Sequence, residues 1–176
     1  SKIASELIAF NYAREHFRKM QVFRPHNIYG PDMGWKHVVP QFIQKIQKGE
    51  ILNNDRVKLN IQGNGKETRA FCYVDDVVDG ILTMYQNGDH RKVYHIGNDH
   101  EISMLELADI VGNAMNIKLD IVPGDAAVGG TPRRCPDISR MRNIGYEPRF
   151  DIYSGIQKTV DWYKSNQMIK LDNPLS

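Results

Sequence analysis

Helical periodicity takes up so much of this chain that little is left for a sheet, and that shortage is the strongest constraint on its fold. Residues 2–19 put Ile3, Leu7, Phe10, Ala13 and Phe17 on one apolar stripe. Ser1 can cap that helix only if chain precedes it. A second helix covers "HVVPQFIQKIQKGE", with Pro40 in its first turn and Gly49 as its stop. A third covers "VDDVVDGILTMYQNG", with Asp75 or Asp76 at its start and Asn87-Gly88 at its end. In "SMLELADIVGNAMN", Ser103 and Glu106 have the spacing of a capping box. A short helix in "DISRMRNIGYEPRF" stops at Gly145, and residues 151–167 form the last helix, with Ile152, Ile156, Val160 and Tyr163 on one face. Residues 168–176 are expected to fray.

The strands are short. Met20–Phe23 runs into the Pro- and Gly-punctuated "RPHNIYGP". "KLNIQGNGKETRAFCYV" reads as two strands around the turn Gly63-Asn64-Gly65. "KVYHIGN" and "KLDIVPG" follow, and residues 125–136 read as a Gly/Pro-rich loop. Few of these strands suit a parallel sheet, which buries both faces and needs several neighbours. The expected fold is α/β: the end of one parallel-sheet domain with a smaller domain grown onto it.

Composition narrows the functional classes. The 176 residues suit one domain, or one and a small part. A net charge of +2 argues against a dedicated nucleic-acid binder but allows a local basic pocket for a small anion. No apolar run approaches the roughly 18 residues of a membrane span, and no leader pattern is visible. Cys72 and Cys135 lack metal-ligand spacing, and two reduced thiols fit a cytoplasmic protein. The histidines form no metal pattern, so no metal is expected.

Three loops can carry chemistry. Asn27 lies beyond a strand end, where open α/β sheets bind ligands, although it is also an ordinary turn former. Arg69 shares a strand face with Phe71 and can grip a phosphate through parallel hydrogen bonds, or pair with an acid at the rim. Arg133 and Arg134 repel each other unless an anion or carboxylate is near; solvated loop arginines are the alternative. Asp75 and Asp76 read as helix-capping acids, since a hard cation needs more oxygen ligands than "YVDDVVDG" offers. No nucleophile elbow, Walker loop or zincin motif is present, and "GDAAVGG" does not open a helix as a dinucleotide turn must.

Taken in order, "SK" leading a helix with Glu6, "RPHNIYGP", "HVVPQFI", "IQGNGKETRAFCYVDDVVDGI", "YHIGN", "SMLELA", "RRCPDISRMRNIGYEP" and "GIQKTVDWY" resemble one family over residues 1–165. It is the C-terminal half of the extended short-chain dehydrogenase/reductases, more narrowly the nucleotide-sugar epimerases, dehydratases and decarboxylases. The resemblance implies the end of a Rossmann-type parallel sheet (residues 1–30 and 77–98) plus a small α/β substrate-binding domain (residues 31–76 and 99–170). It implies tightly held NAD, oxidation of a sugar carbon to a keto intermediate, and hydride return. Lys2 matches the lysine of the Tyr-x-x-x-Lys pair, whose charge favours the phenolate. The matching tyrosine would lie four residues earlier, before Ser1, so the Gly-rich half is expected to be absent and the chain alone inactive.

Pro25 and His26 fall where the family lines the nicotinamide end, and Asn27 where it meets the sugar-nucleotide phosphates. His37 and Val38 flank the nucleotide, and Asn60 and Gln62 lie on the strand whose backbone holds the base. Arg69 matches one diphosphate arginine, and Arg134, or Arg133, the second. The resemblance further implies a UDP-sugar substrate, a homodimer, and neither nucleic-acid nor membrane partners. The rivals are a non-catalytic nucleotide-sugar-binding module and a structural or dimerisation partner.

Overall fold

The computed structural model describes residues 1–52, 56–126 and 129–166. Along the chain they form α1 (Lys2–Tyr12), β1 (Gln21–Pro25), β2 (Ile28–Tyr29), α2 (Val38–Gln47), β3 (Arg56–Asn60), β4 (Thr68–Ala70), β5 (Cys72–Tyr73) and α3 (Val74–Asn87). They continue with β6 (Lys92–Ile96), β7 (Glu101–Ser103), α4 (Met104–Ala114), β8 (Lys118–Val122), β9 (Arg133–Arg134), α5 (Ser139–Arg142) and α6 (Ile152–Ser165). The expected mixture of helices and short strands is what the chain builds, but more of the strands pair in parallel than expected, because pairs as short as two residues suffice. β1 pairs with β6, β2 with β5 and β3 with β8, all parallel. β4 lies between antiparallel β7 and parallel β9.

Several local expectations hold. The Ser103–Glu106 capping box closes with bonds of 3.1 and 2.7 Å, α3 ends at Asn87 with Gly88 as its cap, and α6 buries Ile156, Val160 and Tyr163. Gln167 and the tail at 168–176 lie outside the described residues.

Others fail for physical reasons. The first helix stops at Tyr12 rather than running to residue 19. Its stripe has little to pack on, with Ile3 74% and Leu7 65% exposed, and helices in proteins owe most of their stability to such packing. β1 continues through Pro25, because only one of its edges is paired among the described residues and an open edge tolerates a missing N–H. Gly63 and Gly65 do turn, with φ of +72° and +74°, but the flanking strands do not form a hairpin. β3 turns instead to β8, and β4 to β7 and β9. The 125–136 loop hides β9, which exists only because β4 offers it an edge. Asp76 caps no helix: its oxygens accept the backbone N–H groups of Arg149 and Phe150 at 2.9 and 3.0 Å.

The core has two parts. One gathers Tyr29, Phe42, Ile43, Leu59, Phe71, Leu107, Val111, Ile156 and Val160 among α2, β3, α4 and α6. The other gathers Cys72, Val77, Met84, Tyr94, Ile96, Met141 and Tyr146 around α3, β6 and α5. Tyr29, beside Phe71 and Tyr73, marks the seam where β2 and β5 join them.

Candidate functional site

A cleft of about 450 Å³ opens between α2, the Gly63–Gly65 turn, β4 and the loop before β9. Val38, Gln62 and Arg69 line it, together with Lys36, Gln41, Lys45, Glu67 and Thr131. Val38, Gln41 and Lys45 fall at three- and four-residue steps, so one helical face of α2 looks into the cleft. That polar spacing was the signal for Gln41 and Lys45, which the motif reading passed over.

Arg69 is anchored rather than solvated. Its guanidinium donates to the carbonyls of Thr68 and Thr131, both at 2.7 Å. Parallel pairing of β4 with β9 sets Arg69 directly opposite Arg134, and opposed residues share a face of the sheet. Arg134 also reaches Thr131, at 3.5 Å from its hydroxyl oxygen. Burial holds the Arg69 pKa below its ordinary value, and the charge of Arg134 adds to the shift.

Arg133 points elsewhere, to Glu101 at 2.5 Å; Glu101 also accepts from the hydroxyl of Thr68. Arg24, Arg142 and Arg149 likewise each hold a carboxylate, while neither Arg69 nor Arg134 does among the described residues. Geometry thus separates the two neighbouring arginines: Arg134 joins Arg69, and Arg133 is neutralised. Two adjacent guanidiniums that form no ion pair among the described residues, with Lys36, Lys45 and the single carboxylate of Glu67 in the cleft, suit an anion with several oxygens.

The remaining residues fall around this pair. Asn27 adopts φ +39° and donates from its amide to the carbonyl of Ala70 at 2.8 Å, next to Arg69. It is therefore a turn former that also ties β1 to β4, with a second amide hydrogen left to donate. His37 is the exposed N-cap residue of α2, at the rim. Asn60 borders a neighbouring shallow groove, and its carbonyl accepts from Lys45 at 3.0 Å.

Pro25 ends β1 and His26 follows it, and neither lines the cleft. Lys2 is exposed on α1. Glu6, one turn on, holds Arg24 of β1 through two bonds of 2.9 and 2.5 Å. His26 meets His95, with Nε2 and Nδ1 2.6 Å apart. Among the described residues no cluster of His, Cys, Asp or Glu suits a metal, and no helix is long and apolar enough to cross a membrane.

These features define a class: an α/β protein with parallel strands whose loops build an arginine-lined cleft. Its family follows from sequence. The model for the NAD dependent epimerase/dehydratase family matches residues 1–97, more than half of the chain, and the chain belongs to that family. It is 33% identical over 158 residues to UDP-glucuronic acid decarboxylase 3 of Arabidopsis thaliana, covering 88% of this chain and 44% of that protein. It is 31% identical over 169 residues to dTDP-glucose 4,6-dehydratase of Streptomyces antibioticus, covering 95% and 48%. Among solved structures, UDP-glucose 4-epimerase of Thermotoga maritima with UDP-glucose matches with a TM-score of 0.83 at 25% identity, over 94% of this chain and 52% of that one. The dTDP-glucose 4,6-dehydratase DesIV of Streptomyces venezuelae, with NAD and TYD bound, matches with a TM-score of 0.76 at 26% identity, over 94% and 50%. The chain spans about half the length of the curated relatives it matches.

Proposed function

We propose that this chain is the substrate-binding portion of an NAD-dependent enzyme that epimerises, dehydrates or decarboxylates a nucleotide sugar through a 4-keto intermediate. The observation that carries this reading is the opposed pair Arg69 and Arg134, anchored at Thr131 and in no ion pair among the described residues. The pair grips the diphosphate, with Asn27 behind it. Val38 and Gln62 flank the nucleoside, His37 and Asn60 stand at the rim, and Lys36 and Lys45 add positive charge along the ligand. Arg133 fixes the far face of β4 through Glu101 rather than touching the ligand. A UDP-sugar is the first candidate substrate.

NAD, when bound, supplies hydride acceptance and return. The residues that fit its nicotinamide end are Lys2, with its exposed ammonium, and Pro25 and His26 at the strand end. The backbone is closely packed there: a Cβ on Gly97 would lie 3.1 Å from the Cβ of His26 and from Pro136, so glycine fits best beside the strand end. Lys2 would donate to the cofactor, and its charge would favour the phenolate of a tyrosine set beside it. Residues 1–30 and 77–98 form the sheet portion that meets the cofactor, and 31–76 and 99–170 the portion that holds the sugar nucleotide. The same reading carries a homodimer with α1 in its interface, and a cytoplasmic location.

Titration calorimetry with UDP tests this on the chain itself. Arg69→Ala is expected to weaken binding by on the order of 10–100-fold, the weight of a hydrogen-bonded ion pair. Unchanged affinity would remove the diphosphate role. Turnover of a UDP-sugar by the chain alone would overturn its assignment as the binding portion only.

A further inference from the structure

The anion cleft makes no use of the histidine pair at the carboxyl ends of β1 and β6. His26 follows the last residue of β1, and His95 is the penultimate residue of β6. Their rings stack with centroids 4.9 Å apart and planes 30° apart, and Nε2 of His26 lies 2.6 Å from Nδ1 of His95. The backbone N–H of His26 also donates to the carbonyl of Ile96 at 3.0 Å. The main chain therefore holds one ring and the second ring fixes its rotation. Both residues are half-buried.

A bond between two imidazole nitrogens requires one proton between them, so one ring donates and the other accepts. The neutral pair meets that condition, and so does the singly protonated pair. The doubly protonated pair turns N–H against N–H and must open. The charged groups around it are Arg24 of β1, Glu6 of α1, Asp137 before α5 and Arg140 of α5. Arg24 is held by Glu6, and Arg140 donates to the carbonyl of Val93. Asp137 and Glu6 favour a cation on His95, and the two arginines oppose it. Burial outweighs them all and holds both imidazoles below the ordinary histidine range, with Arg24 acting in the same direction on each.

We propose that His95 is a positioning residue: through its bond to His26 it fixes the orientation of that ring at the strand end and couples the tautomers of the two rings, both protonated at Nε2 or both at Nδ1. The inference rests on the reading above for what the ring faces, the nicotinamide end of the cofactor. An oxidised nicotinamide is a cation, and a neutral imidazole accommodates it where an imidazolium would repel it.

The test is read on the histidine nitrogens of the chain by long-range proton–nitrogen correlation spectra between pH 4.5 and 8. In the unmodified chain His26 and His95 are expected to show matching tautomers at pH 7.5, both Nε2–H or both Nδ1–H in the same ratio, and His26 a midpoint below the ordinary value. His95→Ala should change the His26 tautomer ratio and bring its midpoint nearer 6.5. His95→Asn, which can still donate or accept, should move the His26 tautomer ratio and midpoint back from the alanine variant's values; a merely structural role for His95 would not make the alanine and asparagine variants differ in this readout. If His95→Ala fails to fold, His26→Asn serves in reverse, with the tautomer of His95 as readout. A tautomer ratio and midpoint indifferent to the partner ring would overturn the proposal. UDP calorimetry reads the cleft separately, so loss of the cleft reading and loss of the pair are told apart; UDP affinity is expected to be unchanged in His95→Ala.

Discussion

Asp76 is 1% exposed, yet it carries no counter-charge among the described residues. Two backbone N–H groups from the segment before α6 satisfy it instead. Its sequence neighbour Asp75 is exposed, so adjacent acids at one helix start have opposite fates. Asp76→Ala would strand both part-buried donors, each costing about 1–3 kcal/mol where water does not replace the acceptor. The expected loss of unfolding free energy is about 2–4 kcal/mol by urea denaturation, with Asp76→Asn losing less because it keeps one acceptor. A loss below about 0.5 kcal/mol would show that the Arg149–Phe150 turn holds without it. The arginines show the same dependence on context. Four Arg residues are neutralised by carboxylates, whereas Arg69 and Arg134, which the nucleotide reading uses, form no ion pair among the described residues.

At the scale of elements, α6 approaches β2 through Gly155. A Cβ there would overlap the hydroxyl oxygen of Tyr29. Alanine in place of a helix-interior glycine ordinarily gains about 1 kcal/mol, but overpacking a rigid aromatic costs about 1–3 kcal/mol. The steric term wins, and Gly155→Ala is expected to lower the urea midpoint. A higher midpoint would mean that α6 can slide off Tyr29. The Gly63–Gly65 turn teaches a related lesson about strands. Its residues name a reversal correctly, but a strand chooses its partner by the apolar face it must bury. Val57 and Leu59 of β3 are buried where that strand lies beside β8, so pairing across the turn loses.

For the whole molecule, α1 and the outer edge of β1 matter most. The exposed Ile3, Leu7, Ile8 and Tyr12 make α1 an apolar face turned to solvent, and an open parallel edge lies next to it. The chain is expected to self-associate in sedimentation velocity at tens of micromolar, and Ile3→Glu with Leu7→Glu to shift it towards monomer; unchanged sedimentation would place the contact elsewhere. Acid should also weaken the fold in two stages. His26 and His95 have folded-state pKa values below the unfolded one, so the unfolded chain binds more protons as pH drops below about 6.5 and stability falls. Asp99 and Glu101, lowered by their bonds to Arg142 and Arg133, add a second loss below about pH 4. A urea midpoint that rises between pH 7 and 5 would contradict the first stage.

Local chemistry was legible in the residues alone. The capping box at Ser103, the end of α3 at Asn87-Gly88, the face of α6 and the family's ordered motifs all rest on contacts within a few positions of the chain. Those contacts depend on side-chain type and spacing, which a sequence states directly. Only the tertiary structure decided that β3 takes β8, that Arg134 rather than Arg133 stands opposite Arg69, that Asp76 serves the turn before α6, and that His26 meets His95. Each of these depends on which distant segment supplies an edge, a donor or a buried face. That choice is made by the summed burial of the whole core, and no window of neighbouring residues contains it.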